Sequence, residues 1–370
     1  MTSSSYDLRD LLANAQRTMS DALQTTREGY LDQKVRIFAS PGFPDWLAEQ
    51  KMTLLGAARD RNMLFCMGTD EDGQFQLYDR LFEGCSGLFR KAGDLYVAGR
   101  DRIWHLQDFA DGVFHPKVLH HVGNVATHEL IQDHLGRIVF ANTQYSCLSA
   151  ISSGAVSFEP VWAPPFIGSM AATDACHLNG VGQDANGTVR WVTGCGATSE
   201  PSGWRQMRAG GGWLMDRVTN ETVAGGLSMP HSPREHEGTL YVLSSGAGFF
   251  GKIDRNKGVF EPLVLCPGFA RGLVFAGSYA IIGLSKPRGS AFAGLPLDEA
   301  LAHYRVAPRC GWMVVDLKTM KPVHTLYLEG TVGEIQDVCA IKGHALAMVN
   351  NYETAQSRNR VEIGPWDRRK

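Results

Sequence analysis

From about residue 35 to residue 363 the chain runs in short segments of alternating apolar and polar positions, broken by Gly, Asp or Asn. That period of two is the pattern of half-buried strands joined by tight turns. Seven stretches repeat one plan: a short strand, a Gly, Asp or Asn turn, then a stronger apolar strand, as in a tight hairpin. They begin at Thr53, Ser86, Thr127, Cys176, Pro230, Ala270 and Ile335, 33 to 65 residues apart. Most are followed by a third strand ending in a charged turn, such as residues 102–108 (RIWHLQD), and by a fourth, such as residues 261–269 (EPLVLCPGF). Four strands per unit, repeated in this way, predict an all-β fold, a β-propeller in which each blade buries its faces against its neighbours. The count is seven blades, with six or eight open because repeats this divergent are miscounted by one. The last unit lacks a clear fourth strand, which residues 34–41 (KVRIFASP) are expected to supply by closing the ring. A two-sheet sandwich is the structural alternative, but it does not predict one hairpin grammar seven times over.

The one long stretch of helical periodicity is residues 7–28, where Leu8, Leu11, Leu12, Ala15, Met19 and Leu23 share a face. The expected organisation is an N-terminal α-helix in an extension over residues 1–33 and one propeller domain over residues 34–370. The leucine stripe is expected to rest on the propeller or on a second subunit, making a homo-oligomer.

Composition narrows the class of partner. Lys and Arg number 36 against 38 Asp and Glu, and no like-charge cluster exceeds the terminal DRRK, so the footprint of a nucleic-acid or anionic-membrane binder is missing. A small-molecule substrate is the expected partner. The chain has no run of 18 apolar residues, and its first residues have no basic segment leading into an apolar one, so a cytoplasmic location is expected. Eight cysteines without a CxxC pair argue against a disulfide framework or a four-cysteine zinc site.

The chemistry gathers at one place. In a propeller the innermost strand of each blade starts at the same mouth of the central channel that receives the loops joining second and third strands. Three consecutive units carry a histidine there: His128 in ATHEL, His177 in ACHLNG and His231 in MPHSPR. Three imidazoles with an open position describe a catalytic site for a divalent transition metal such as Fe, Mn, Cu or Zn. Glu129 and Asp337 are the candidate proton-transfer groups, and Asn179, Arg234 and Arg271 the candidate substrate contacts. The alternative for each histidine is a cap on a strand start, and for the charged residues mutual neutralisation across the channel. Two long loops, residues 195–212 and 286–311, join second to third strands and are expected to hang over the mouth with Trp204, Arg205, Arg288 and Arg309. The second contains a short helix, LPLDEALAHYR, begun by Pro296 with Asp298 and Glu299 in its first turns.

The strings WLAEQ (46–50), IWHL (103–106), IVFANT (138–143), CHLNG (176–180), GLSMPHSPR (226–234), GFARGL (268–273), GLPLDE (294–299) and RCGWMVVDL (309–317) carry a resemblance. With them the chain resembles a bacterial family of conserved proteins of unknown function, over roughly residues 35–350. The resemblance implies a propeller and supplies no activity. At the level of fold it is similar to metal-dependent propeller lyases and lactonases, and more loosely to four-histidine iron oxygenases, whose fourth histidine has no counterpart here. The leading expectation is a lyase, isomerase or hydrolase acting on a small polar molecule with a carboxylate or carbonyl group. The alternatives are an Fe- or Cu-dependent oxygenase or oxidase on the same ligands, and a non-catalytic binding propeller. A metal-free hydrolase with Ser232 or Cys176 as nucleophile is the weakest reading, since neither sits in a GxSxG elbow.

Overall fold

In the computed structural model, which describes residues 35–109, 112–154, 156–287, 289 and 293–361, the hairpins close into six blades, not seven. The hairpin that starts at Thr53 holds the second and third strands of a blade, Met52–Ala58 and Met63–Thr69, followed by Phe75–Leu81. Its innermost strand, Asp337–Lys342, arrives from the far end of the chain and pairs antiparallel with Met52–Ala58, from Met52↔Lys342 to Ala57↔Asp337. The first and seventh sequence units are therefore two parts of one blade. The cause of the miscount is physical: Met52–Ala58 is buried at every position, so a second strand reads in sequence like an innermost one.

The other innermost strands follow in order: Leu88–Lys91, Thr127–Gln132, Leu178–Gln183, Pro230–His236 and Phe269–Ala276. Each touches the next, and Phe269–Ala276 meets Asp337–Lys342 to complete the ring. Residues 34–41 do not fill out the seventh unit: Arg36–Ala39 lies outside Lys321–Glu329 as a fifth strand of the sixth blade. Met348–Val349 similarly pairs in parallel with Val113–His121 on the second blade. The expected helix over residues 7–28 lies outside the described residues.

Apolar clusters fill the gaps between adjacent blades. Between the sixth and first, Trp312 lies over Gly56 so closely that a Cβ there would stand 2.2 Å from the indole. Glycine is required because the indole takes the space of its side chain. One further cluster belongs to no pair of blades. Cys195 and Trp204 from the loop of the fourth blade join Leu295, Leu297 and Leu301 from that of the sixth, over Met229 and Phe269. The helix Pro296–Tyr304 carries Pro at its start, Asp298 and Glu299 in its first turn and His303 in its last, which suits the helix dipole, and buries Leu297 and Leu301 on one side. Both long loops thus meet over the mouth, as their position between second and third strands predicts.

Candidate functional site

The strand registers show which channel residues are equivalent. His231 pairs with Leu243, Arg271 with Gly283 and Asp337 with Ala57, in each case two residues before Ser245, Ser285 and Arg59. One position earlier, Pro230 pairs with Ser244, Thr127 with Asn142 and Leu178 with Gly194. His128 and Asn179 therefore occupy the place of His231 in the third and fourth blades. In consecutive blades the channel carries His128, Asn179, His231, Arg271 and Asp337 at one level, all buried. The backbone agrees: Ala126, His177 and Met229, each two residues earlier, all adopt the left-handed conformation, at φ 53°, 49° and 43°. His177 is thus not the equivalent of His128 and His231. It enters the same mouth from the preceding turn.

The three imidazoles still converge. The His128 and His177 ring centroids lie 5.1 Å apart, and those of His128 and His231 6.3 Å. Their tautomers follow from their partners. His128 Nδ1 lies 2.9 Å from the Ala126 carbonyl, and His231 Nδ1 2.9 Å from that of Met229. A carbonyl only accepts, so both Nδ1 atoms carry the proton. Thr143 and Ser245 support each arrangement by donating to Leu178 and Ala270 carbonyls while facing Nδ1 at 2.8 and 3.1 Å. His177 Nδ1 donates to Asp174 Oδ1 at 2.9 Å, and Trp204 Nε1 donates to Asp174 Oδ2 at 3.0 Å while its ring stacks on His177 at 4.1 Å. The Nε2 atoms of His128 and His231 are thereby left with the lone pair. Burial, then His177, His231, Arg59 and Arg271, holds the His128 pKa well below the usual imidazole value. Burial, then Arg271, does the same to His231, so both rings are neutral near pH 7.

These are donors of the right kind for a transition metal. A single ion about 2.1 Å from three imidazole nitrogens sets ring centroids roughly 5 Å apart. The pair His128 and His177 meets that spacing and His231 stands wide of it. Asn179 Nδ2 also reaches His231 Nε2 at 3.3 Å, its amide fixed by Thr193 Oγ1 donating to Oδ1 at 2.9 Å. Among the described residues no three His, Cys, Asp or Glu side chains stand where together they could hold a metal ion.

The expected proton-transfer and substrate groups separate into two sets. Glu129 is held by Ser232 Oγ at 2.5 Å, Val181 N at 3.2 Å and Arg234 Nη1 at 3.0 Å, and Ser232 Oγ accepts from Gly272 N at 3.1 Å. This carboxylate joins three blades directly and a fourth through Ser232, and its geometry is that of a structural tie. Arg234 is likewise engaged, donating also to the Val181 carbonyl at 2.7 Å. Ser232 is fully buried with its hydroxyl tied between Glu129 and Gly272 N, and burial pushes the Cys176 thiol up to about 12, so neither is placed as an exposed, activated nucleophile. Asp337 accepts from Leu88 N and Val338 N, both at 2.8 Å. Burial and then the Glu129 charge raise its pKa to about 8, against the pull of Arg234.

Arg271 lies over Phe269 and donates to Glu334 and Gln336, so it is braced in the channel wall. Arg309 turns to Glu329 at 3.0 Å and the ring of Tyr327, on the fourth strand of the sixth blade, away from the imidazoles. Arg205 lies over Trp204 at 4.6 Å. Arg288 lies outside the described residues. Sequence reasoning missed Asp174, Glu334, the pair Thr143 and Ser245, and Arg59. Asp174 had a signal, standing three residues before His177 in DACH. Arg59 was hidden by the miscounted blade, which assigns its turn to the opposite end of the channel.

The geometry is that of a six-bladed propeller with one lidded, histidine-lined mouth. The chain belongs to the family described as Domain of unknown function (DUF4915), whose model matches residues 41–349. No curated protein matches it. Among solved structures it is similar to a chain of a nidogen/laminin complex, at 11% identity and TM-score 0.53, covering 80% of this chain and 99% of that one. A protein of unknown function from Bacteroides caccae shares 12% identity at TM-score 0.49, over 79% and 99% of the two chains. Virginiamycin B lyase from Staphylococcus aureus shares 12% at TM-score 0.40, over 72% and 73%. At these identities the first supports the propeller fold and nothing about activity, and the other two carry no argument.

Proposed function

We infer that the protein is an enzyme whose small-molecule substrate binds under the lid and is activated by a divalent transition metal on the Nε2 atoms of His128, His177 and His231. The observation that carries this reading is the common orientation: each Nδ1 is committed to a fixed acceptor, which leaves Nε2 as the ring atom that can serve a ligand at this mouth. When bound, the ion supplies Lewis acidity to a carbonyl or carboxylate oxygen. His128 and His177, with ring centroids 5.1 Å apart, would hold the ion, and His231 would complete the set on giving up its contact with Asn179. Asp337 is the proton-transfer group, because its raised pKa lies close to neutral pH. Trp204 and the leucines of the lid helix exclude water. Lyase, isomerase and hydrolase reactions all fit this set.

Protein purified without a histidine tag, stripped with chelator and titrated with Mn, Fe, Cu and Zn, is expected to take up one ion per chain. His128→Ala and His177→Ala are each expected to abolish uptake. A protein that binds none of the four ions overturns the reading. One observation favours a second, metal-free reading in that event. The Asp174–His177 pair is a carboxylate-oriented imidazole, the least buried of the three, with Nε2 open to act as general base.

A further inference from the structure

We propose that Arg59 is an anion-docking group of this mouth, and that the substrate presents to it a carboxylate or phosphate group. The inference rests on the reading of the mouth as a small-molecule site, with or without a metal. Arg59 lies in the turn Arg59–Arg61 between the second and third strands of the first blade. By register it occupies the position that Thr143 and Ser245 occupy beside His128 and His231. It is half-buried, and among the described residues its guanidinium has no hydrogen bond or ion pair. The two arginines that interact with it electrostatically are both engaged, Arg271 with Glu334 and Arg100 with Glu83 at 3.4 Å. The charge of Arg59 lowers the pKa of both His128 and Arg271, which places it within electrostatic reach of the imidazoles and the channel wall.

A guanidinium partly withdrawn from water without a counter-charge is costly, and the acid group of a ligand would supply that charge. Its planar fork suits two oxygens of a carboxylate or phosphate. An acid group seated there leaves the rest of a small substrate extending toward the Nε2 atoms of His128 and His177.

The test uses the full-length protein with inorganic phosphate and malonate as separate probes, read by calorimetry and by thermal unfolding. At least one probe is expected to bind wild type and raise its unfolding temperature, and the tighter of the two identifies the acid group. Arg59→Gln is expected to weaken that binding by about tenfold or more, Arg59→Lys by less, and Arg61→Gln, an exposed cation in the same turn, not at all. Without probe, Arg59→Gln is expected to unfold at the same temperature as wild type or higher, because an unpaired cation has been removed. Cobalt(II) absorption titrated on the same variants separates the two readings: loss of anion binding with unchanged metal binding supports the docking role. Metal-free wild type that still binds anion through Arg59 leaves this inference standing and removes the metal. Equal anion affinity in Arg59→Gln, no binding of either probe to wild type, or a destabilised Arg59→Gln overturns it.

Discussion

Asp337 and Glu129 are both buried carboxylates of the channel, and their surroundings give them opposite work. Glu129 has an arginine and two further donors, whereas Asp337 has two backbone N–H groups and the repulsion of Glu129. The folded pKa of Asp337, about 8, stands above its ordinary value of 3.8, so the folded chain holds this proton more tightly than the unfolded one. Its contribution to stability is therefore complete below pH about 4 and is lost as pH rises through about 8. Asp337→Asn removes the titration. Urea unfolding at pH 5, 7 and 9 is expected to show the variant gaining on wild type as pH rises, and a constant difference across the series would contradict the assignment. For Glu129, the tie to Arg234 predicts an asymmetric cycle. Arg234→Met alone is expected to cost about 3 kcal/mol by stranding a buried carboxylate, and the double variant with Glu129→Leu is expected to recover part of it. Additive losses in the two single variants would show that the pair is not coupled.

At the scale of the element, hairpins were legible and their places in a blade were not. The alternation around Thr127, Cys176 and Pro230 locates innermost strands because each is followed by a complete third and fourth strand. The hairpin at Thr53 has the same turn chemistry but belongs one strand further out, and nothing local distinguishes the two, since Met52–Ala58 is as buried as any innermost strand. The histidines show the same limit. His128 and His231 were found from their places in the hairpins, whereas the place of His177, two residues before its blade's channel position at Asn179, shows only in the strand pairing, where Leu178 meets Gly194 as Thr127 meets Asn142. The lid loops were legible because their length and position between strands are both sequence properties. What holds elements together can be tested at Trp312, fully buried over Gly56 and edge-on to Phe65 at 6.4 Å. Trp312→Ala opens the gap between the sixth and first blades and is expected to cost about 3–5 kcal/mol in chemical denaturation. A loss below about 1 kcal/mol would show that the contact between these blades does not depend on the indole.

For the whole molecule, the seam lies where sequence order and spatial order part. The first blade takes three strands from residues 52–81 and its innermost one from residues 337–342, so the ring is closed by hydrogen bonds between segments nearly the whole chain apart. Asp337 sits at the start of that closing strand, and its bond to Leu88 N carries the seam on to the second blade. A chain ending at Gln336 loses the closing strand and exposes apolar faces on both sides of the first blade, where Val338, Cys339 and Ile341 pack. It is expected to be insoluble or molten, because a propeller blade cannot bury its own faces alone. A chain ending at Val349 keeps both Asp337–Lys342 and the short parallel strand on the second blade, and is expected to remain folded, with cooperative unfolding a few degrees below that of the full chain. Circular dichroism and size exclusion on the two truncations decide the matter: equal folding of both would show that the ring does not depend on its C-terminal strand.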